Sequence, residues 1–194
     1  MAGGGDRTRR DRFDGQFPAV LDGVRVGEPW AFDRVFRTLA PMVAGYLRAQ
    51  GAAEPDDLTS EVFLGVLRNA GRFEGDEAAF RSWVFTIAHR RLTDERRRRG
   101  RHPALEPLAH AAEAAAPDDV EAAVGEALGT DRVRALCAQL SPDQRDVVLM
   151  RLVGRLTVDE VATALGRTPG AVKALQRRAF RALDRALERE GVRP

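Results

Sequence analysis

Thr157-Val158-Asp159-Glu160-Val161-Ala162-Thr163-Ala164-Leu165-Gly166-Arg167-Thr168-Pro169 contains two helix starts with a turn between them. Thr157 with Glu160 three residues on is a capping box, in which each side chain satisfies an orphan backbone N–H. Gly166 supplies the turn, because a positive φ is cheap only for glycine. Thr168 and Pro169 then cap and begin a longer helix. Small Ala162, Gly166 four residues later and apolar Val172 fit the spacing of a helix-turn-helix. The second helix of such a unit lies in the DNA major groove, with its N-terminal residues at the base edges. Val172, Leu175, Ala179 and Leu183 face inward, which leaves Lys173, Gln176, Arg177, Arg178 and Arg181, with Thr168 at the start, as candidate DNA contacts. Their side chains are types that read guanine and adenine edges or neutralise phosphates. An ordinary helical hairpin with a basic surface is the alternative. The capping box, turn glycine and clustered donors together favour DNA.

Upstream, the apolar residues keep helical spacing and no convincing strand pattern occurs. Phe32, Val35, Phe36, Leu39, Val43, Tyr46 and Leu47 form one face of a helix. Pro41 interrupts it and predicts a kink or short break, since an interior proline costs about 3 kcal/mol. Pro55 opens a second helix with Asp56 and Asp57 in its first turn, where the helix dipole favours anions. It ends at Asn69-Ala70-Gly71. A third helix runs from about Ala78 to Arg99, with Phe80, Trp83, Val84, Ile87, Ala88 and Leu92 as its core face. Ser141-Pro142-Asp143-Gln144 opens another helix that stops at Gly154. The expected fold is all-α, with two small helical domains joined by a flexible acidic linker. The helix-turn-helix lies in the second domain. The boundaries are a flexible tail over 1–27, a first domain over 28–101, the linker over 102–127 and a second domain over 128–194.

The chain has 194 residues, 44% of them hydrophobic, enough for a packed core in one ordinary or two small domains. No apolar stretch is long enough to span a bilayer, and the Gly- and Arg-rich N-terminus lacks a signal-peptide core, so a cytoplasmic location is expected. Cys137 is the one cysteine, which excludes an internal disulfide and any multi-cysteine metal site. Its apolar neighbours mark it as a buried, inert thiol. His89, His102 and His110 have no metal-ligand spacing. No metal, cofactor or catalytic set is expected.

The net charge of +2 conceals strong segregation. Residues 80–101 hold eight arginines against two carboxylates, and residues 165–194 hold eight basic side chains against three. Between them, residues 102–126 carry six carboxylates and no lysine or arginine. Two basic blocks around an acidic connector suggest two contact sites for a polyanion.

Asp57-Leu58-Thr59-Ser60-Glu61-Val62-Phe63-Leu64, Arg72-Phe73, Phe80-Arg81-Ser82-Trp83-Val84-Phe85-Thr86-Ile87-Ala88 and Leu92-Thr93-Asp94-Glu95-Arg96-Arg97 resemble the promoter-melting domain of extracytoplasmic-function RNA polymerase sigma factors. The block from Leu140-Ser141-Pro142 to Arg178-Ala179 is similar to their C-terminal promoter-binding domain. The resemblance implies a protein that binds core RNA polymerase and directs initiation through −10 and −35 elements. It places Asp57, Glu61 and Arg68 on the polymerase contact. It assigns Arg72, Phe73, Phe85, His89, Arg90, Arg91, Arg96 and Arg97 to single-stranded −10 DNA, with Trp83 in the core. The helix-turn-helix residues fall on duplex −35 DNA. The family commonly has Arg-Asn where this chain has His89-Arg90, so its usual −10 preference is not carried over.

The linker threads toward the active-site cleft in the family, and its carboxylates are either a polyanion mimic there or a solvating tether. Family members are generally held by an anti-sigma factor, here expected on residues 55–69 and 131–185. The competing function is a helix-turn-helix response regulator or repressor, which would need a receiver or effector domain. No alternating-strand pattern supports one. A catalytic helical enzyme lacks a nucleophile–base pair.

Overall fold

The computed structural model describes residues 12–101 and 135–189, and the linker expectation falls outside them. Helices α1 (Phe17–Val26), α2 (Pro29–Ala49), α3 (Pro55–Asn69) and α4 (Glu77–Arg101) build the first domain, with a 3-10 turn, Ala70–Arg72, before α4. A helical turn at 135–138 then precedes α5 (Pro142–Leu152), α6 (Val158–Leu165) and α7 (Pro169–Arg189). No strand occurs among the described residues.

The first core forms where three amphipathic faces meet. Val35, Leu39, Val43 and Leu47 of α2 pack with Leu58, Val62, Phe63 and Val66 of α3 and with Phe80, Val84, Ala88 and Leu92 of α4. The break expected at Pro41 does not end the helix, because α2 continues to Ala49. Pro41 and Arg37 are both on the exposed side of the helix, where the missing N–H costs less than it would in the core.

The N-terminal segment corrects an expectation. Residues 1–27 read as a flexible tail, yet Phe17–Val26 is helix α1, and Phe13, Phe17, Val20, Leu21 and Val24 are buried. Those apolar positions step at helical spacing, a signal masked by the Gly- and Arg-rich composition just before them. Gly27 closes α1 at φ 82°. Close approach to α2 requires Gly23, because a Cβ there would lie 2.7 Å from that of Ala31.

Local signals hold in the second domain. Ser141 Oγ accepts from the Gln144 N–H at 3.4 Å while the Ser141 N–H donates to Gln144 Oε1 at 3.1 Å. Thr157 and Glu160 form the second reciprocal cap, and Gly166 ends α6 at φ 62°. Val161, Ala162, Val172 and Leu175 are buried in one core, while Leu140, Val148 and Ala179 form a smaller one under Leu183. Leu152, in the apolar run after the Ser141 cap, instead points to solvent.

Cys137 is buried, as its neighbours implied, and its carbonyl accepts from Arg145 Nε at 2.8 Å. Burial pushes its thiol up, and the opposing charge of Arg145 is the smaller effect. A raised pKa leaves less reactive thiolate than a free cysteine has. At about pH 8 the native chain should therefore react slowly with an aromatic disulfide reagent and reach the free-cysteine rate on unfolding. An equally fast native reaction, followed by absorbance, would contradict this packing.

Candidate nucleic-acid interface

The loop after α3 is held by backbone geometry and by aromatic packing. The Phe73 N–H donates to the Ala70 carbonyl at 3.0 Å, and Asp76 Oδ1 accepts from the Ala79 N–H at 2.8 Å, capping α4. Gly75 has φ 147°, and a Cβ there would meet Ala79 at 2.9 Å and the Phe73 ring at 3.1 Å. Phe73 stacks on Trp83 with ring centroids 5.1 Å apart at 30° and meets Phe80 edge-on at 5.1 Å. Beside this stack lies an open recess of about 580 Å³ lined by Asn69, Arg72, Phe73, Glu74, Trp83, Ile87 and Arg90. Aromatic faces flanked by guanidinium groups suit an unpaired base and its phosphates.

The structure brings together Arg72, Phe73 and Arg90 from the expected −10 set. It also adds Asn69 and Trp83. Trp83, expected in the core, is only half-buried and presents its ring to Phe73. At 100° per residue, Trp83, Ile87 and Arg90 fall within about 60° of one another on α4, a grouping the spacing already contained. Phe85 lies about 160° round the helix from Trp83. It is fully buried against Tyr46, at 5.7 Å, so it offers no face to a base in this arrangement. Arg91 is half-buried, and exposed Arg97 lies 3.8 Å from Asp94.

His89 and Arg96 point away from the recess, toward a polar cluster between the domains. His89 Nδ1 lies 3.2 Å from the Tyr46 hydroxyl and 3.9 Å from Asp146 Oδ2 of α5. Gln50 Nε2 donates to Asp146 Oδ1 at 2.5 Å, while Arg96 donates to the Gln50 carbonyl at 2.7 Å and to Gln50 Oε1 at 2.8 Å. Burial pushes the Asp146 carboxyl up, against the pull of His89, Gln50 and Arg96. Nearby, Arg81 of α4 is 3% exposed and Glu160 of α6 is 5% exposed. Both Arg81 Nε and Nη2 donate to Glu160 Oε1, and Nη1 donates to Glu77 Oε1 at 3.3 Å. Gly154 completes the contact, since a Cβ there would sit 2.8 Å from the Phe85 ring.

On α3, Asp57, Glu61 and Arg68 are all exposed, within about 60° of one face. Leu64 stands among them at 48% exposure. Its spacing was the available signal, since it falls about 100–160° round the helix from buried Leu58, Val62, Phe63 and Val66.

On α7, Thr168 Oγ1 accepts from the Ala171 N–H at 3.2 Å, so its first role is to cap the helix. Gly170, Lys173, Gln176, Arg177 and Phe180 line one shallow concavity. Phe180, 39% exposed, was not among the sequence candidates; its spacing from Lys173 and Arg177 was the available signal. Arg178 lies about 140° round the helix from Lys173 and Arg181 about 80°, so the six candidates do not share one face. Replacing Lys173 or Arg177 by Ala should cost about 1–3 kcal/mol at the preferred duplex if each reads a base. Arg178→Ala should instead weaken all duplexes alike. Competition binding across a duplex library checks both, and equal sequence-independent losses for all three would contradict the division of faces.

Residues 35–102 match the family model Sigma-70 region 2, and residues 130–183 match Sigma-70, region 4. Helix α1 precedes the first match. The chain is 33% identical over 187 residues to the ECF RNA polymerase sigma factor BldN of Streptomyces coelicolor, covering 93% of this chain and 69% of that protein. It is 31% identical to the RNA polymerase sigma factor CarQ of Myxococcus xanthus, covering 86% and 95%. Its fold is similar to that of CnrH, solved in complex with the cytosolic domain of CnrY, with a TM-score of 0.68, 21% identity and coverage of 89% and 97%. With the two matched regions in order on the two helical domains, this chain belongs to the ECF RNA polymerase sigma factors.

Proposed function

We propose that this sigma factor directs core RNA polymerase to promoters through two DNA contacts made in an opened form of the chain. The recess beside Phe73 and Trp83 takes an unpaired −10 base, with Arg72 and Arg90 on the adjoining phosphates. The Lys173, Gln176 and Arg177 face of α7 takes the −35 duplex, and the Asp57, Glu61, Leu64 and Arg68 face of α3 docks on polymerase. Supporting the first role, two stacked aromatic rings border an open recess between arginines. Flipping a base costs a few kcal/mol, which such a surface can offset for single-stranded but not paired DNA.

Length supports the opening step. The two promoter elements are about 25 base pairs apart, or about 85 Å along B-form DNA. Helix α7 is 21 residues, about 30 Å long, and its partner α6 packs directly on α4. One closed molecule cannot span both elements. The buried Arg81–Glu160 pair and the Gln50–Asp146 bond hold this closed form, and an anti-sigma factor would act by favouring it. Localisation in the cytoplasm and membership of the group IV subdivision are further parts of this reading. No described helix is long and apolar enough to cross a membrane.

Run-off transcription with core polymerase on a promoter library tests the function. Promoter-specific initiation is expected, whereas duplex binding without initiation would favour the repressor. The double variant Arg81→Ala with Glu160→Gln tests closure, because it removes both charges of the pair between domains and leaves Glu77 the Arg12 N–H. Its radius of gyration by solution scattering should increase relative to the native chain. An unchanged scattering curve would overturn the role of this pair in closure.

A further inference from the structure

We propose that Arg25, on α1 and outside the matched family segment, is a positioning residue for the base recess. Arg25 Nη2 donates to the Phe73 carbonyl at 2.6 Å, and its Nη1 donates to Asp22 Oδ1 at 3.1 Å. The guanidinium is thus fixed on its own helix and grips the backbone of the residue whose ring walls the recess. The same N-terminal segment holds the other end of the loop, where the Arg12 N–H donates to Glu77 Oε1 at 2.9 Å. Behind the stack, Phe13 meets Phe17 and Phe17 meets Phe80, each at 5.5 Å, and Phe80 contacts both Phe73 and Trp83.

Packing does not continue across the whole junction. A crevice of about 410 Å³, lined by Gly15, Phe17, Leu21, Arg25, Gly75 and Asp76 among others, separates α1 from the middle of the loop. The loop is therefore tied to the N-terminal segment at its ends, by Arg25 of α1 at Phe73 and by Arg12, ahead of α1, at Glu77, and the Arg25 bond sets where the Phe73 ring lies relative to Trp83. A base held between such groups is discriminated only while the ring position is fixed, since hydrogen bonds and stacking both fall off within about an ångström. This role rests on the recess being the −10 base site.

The test uses full-length holoenzyme and the non-template strand of a promoter selected by run-off transcription. That oligonucleotide is single-stranded, and each base is replaced in turn. Arg25→Ala should reduce discrimination at one base position roughly tenfold, with affinity for core polymerase and the melting temperature held. Arg25→Lys, whose ammonium can donate to the same carbonyl, should restore part of it. Equal loss at every position would make Arg25 an ordinary phosphate-binding cation and overturn the proposal. Unchanged discrimination in Arg25→Ala alongside a clear loss in Trp83→Ala would overturn it while leaving the recess as the base site. If Trp83→Ala also leaves discrimination intact, the recess reading falls and this proposal with it.

Discussion

Arg81 is a full positive charge almost without access to water, and two carboxylates from different parts of the chain meet it there. Glu77 comes from the preceding turn of the same helix, and Glu160 from the helix-turn-helix of the other domain. Removing one member of such a group strands the others in a low-dielectric setting, at about 3–5 kcal/mol for a buried pair. Glu160 has a second duty, because its carboxylate also closes the cap with Thr157. The start of α6 and the contact between domains therefore depend on the same side chain.

Helix α4 is where these demands converge. Its buried residues Phe80, Val84, Ala88, Arg81, Leu92, Phe85 and Ser82 sweep about 200° of its circumference, wider than one domain's core needs. The first part of that arc faces α2 and α3, and the last part, with Phe85, faces Gly154. On the flank next to Phe80 stand Trp83, Ile87 and Arg90, which border the recess. One helix thus has a core face, a domain-contact face and a face suited to nucleic acid. His89 shows what closure does to such a helix, since it faces Asp146 of the other domain, whereas Arg96 is held within its own domain by Gln50.

Much of this was legible locally. Both capping boxes, the left-handed Gly166, the bounds of α3 and the burial of Cys137 follow from interactions within a few residues, where side-chain type and spacing decide the outcome. The same holds for Phe73 beside Arg72, and for Lys173 and Arg177 on one side of α7. Trp83 is different. It is large and apolar and sits at core spacing, so a periodicity argument assigns it to a core, although an aromatic ring is equally suited to stack at a surface.

The sequence by itself determined the helices, their caps, the division into two basic blocks and the family to which they belong. These rest on backbone geometry and hydrophobic spacing over short range. Tertiary structure alone decided that Phe85 is covered, that α1 grips the Phe73 loop, and that Arg81 finds Glu160 seventy-nine positions away. Contacts at such separation depend on how whole faces pack. A helical pattern shows which side of a helix is apolar, and it is silent on which other helix will cover it.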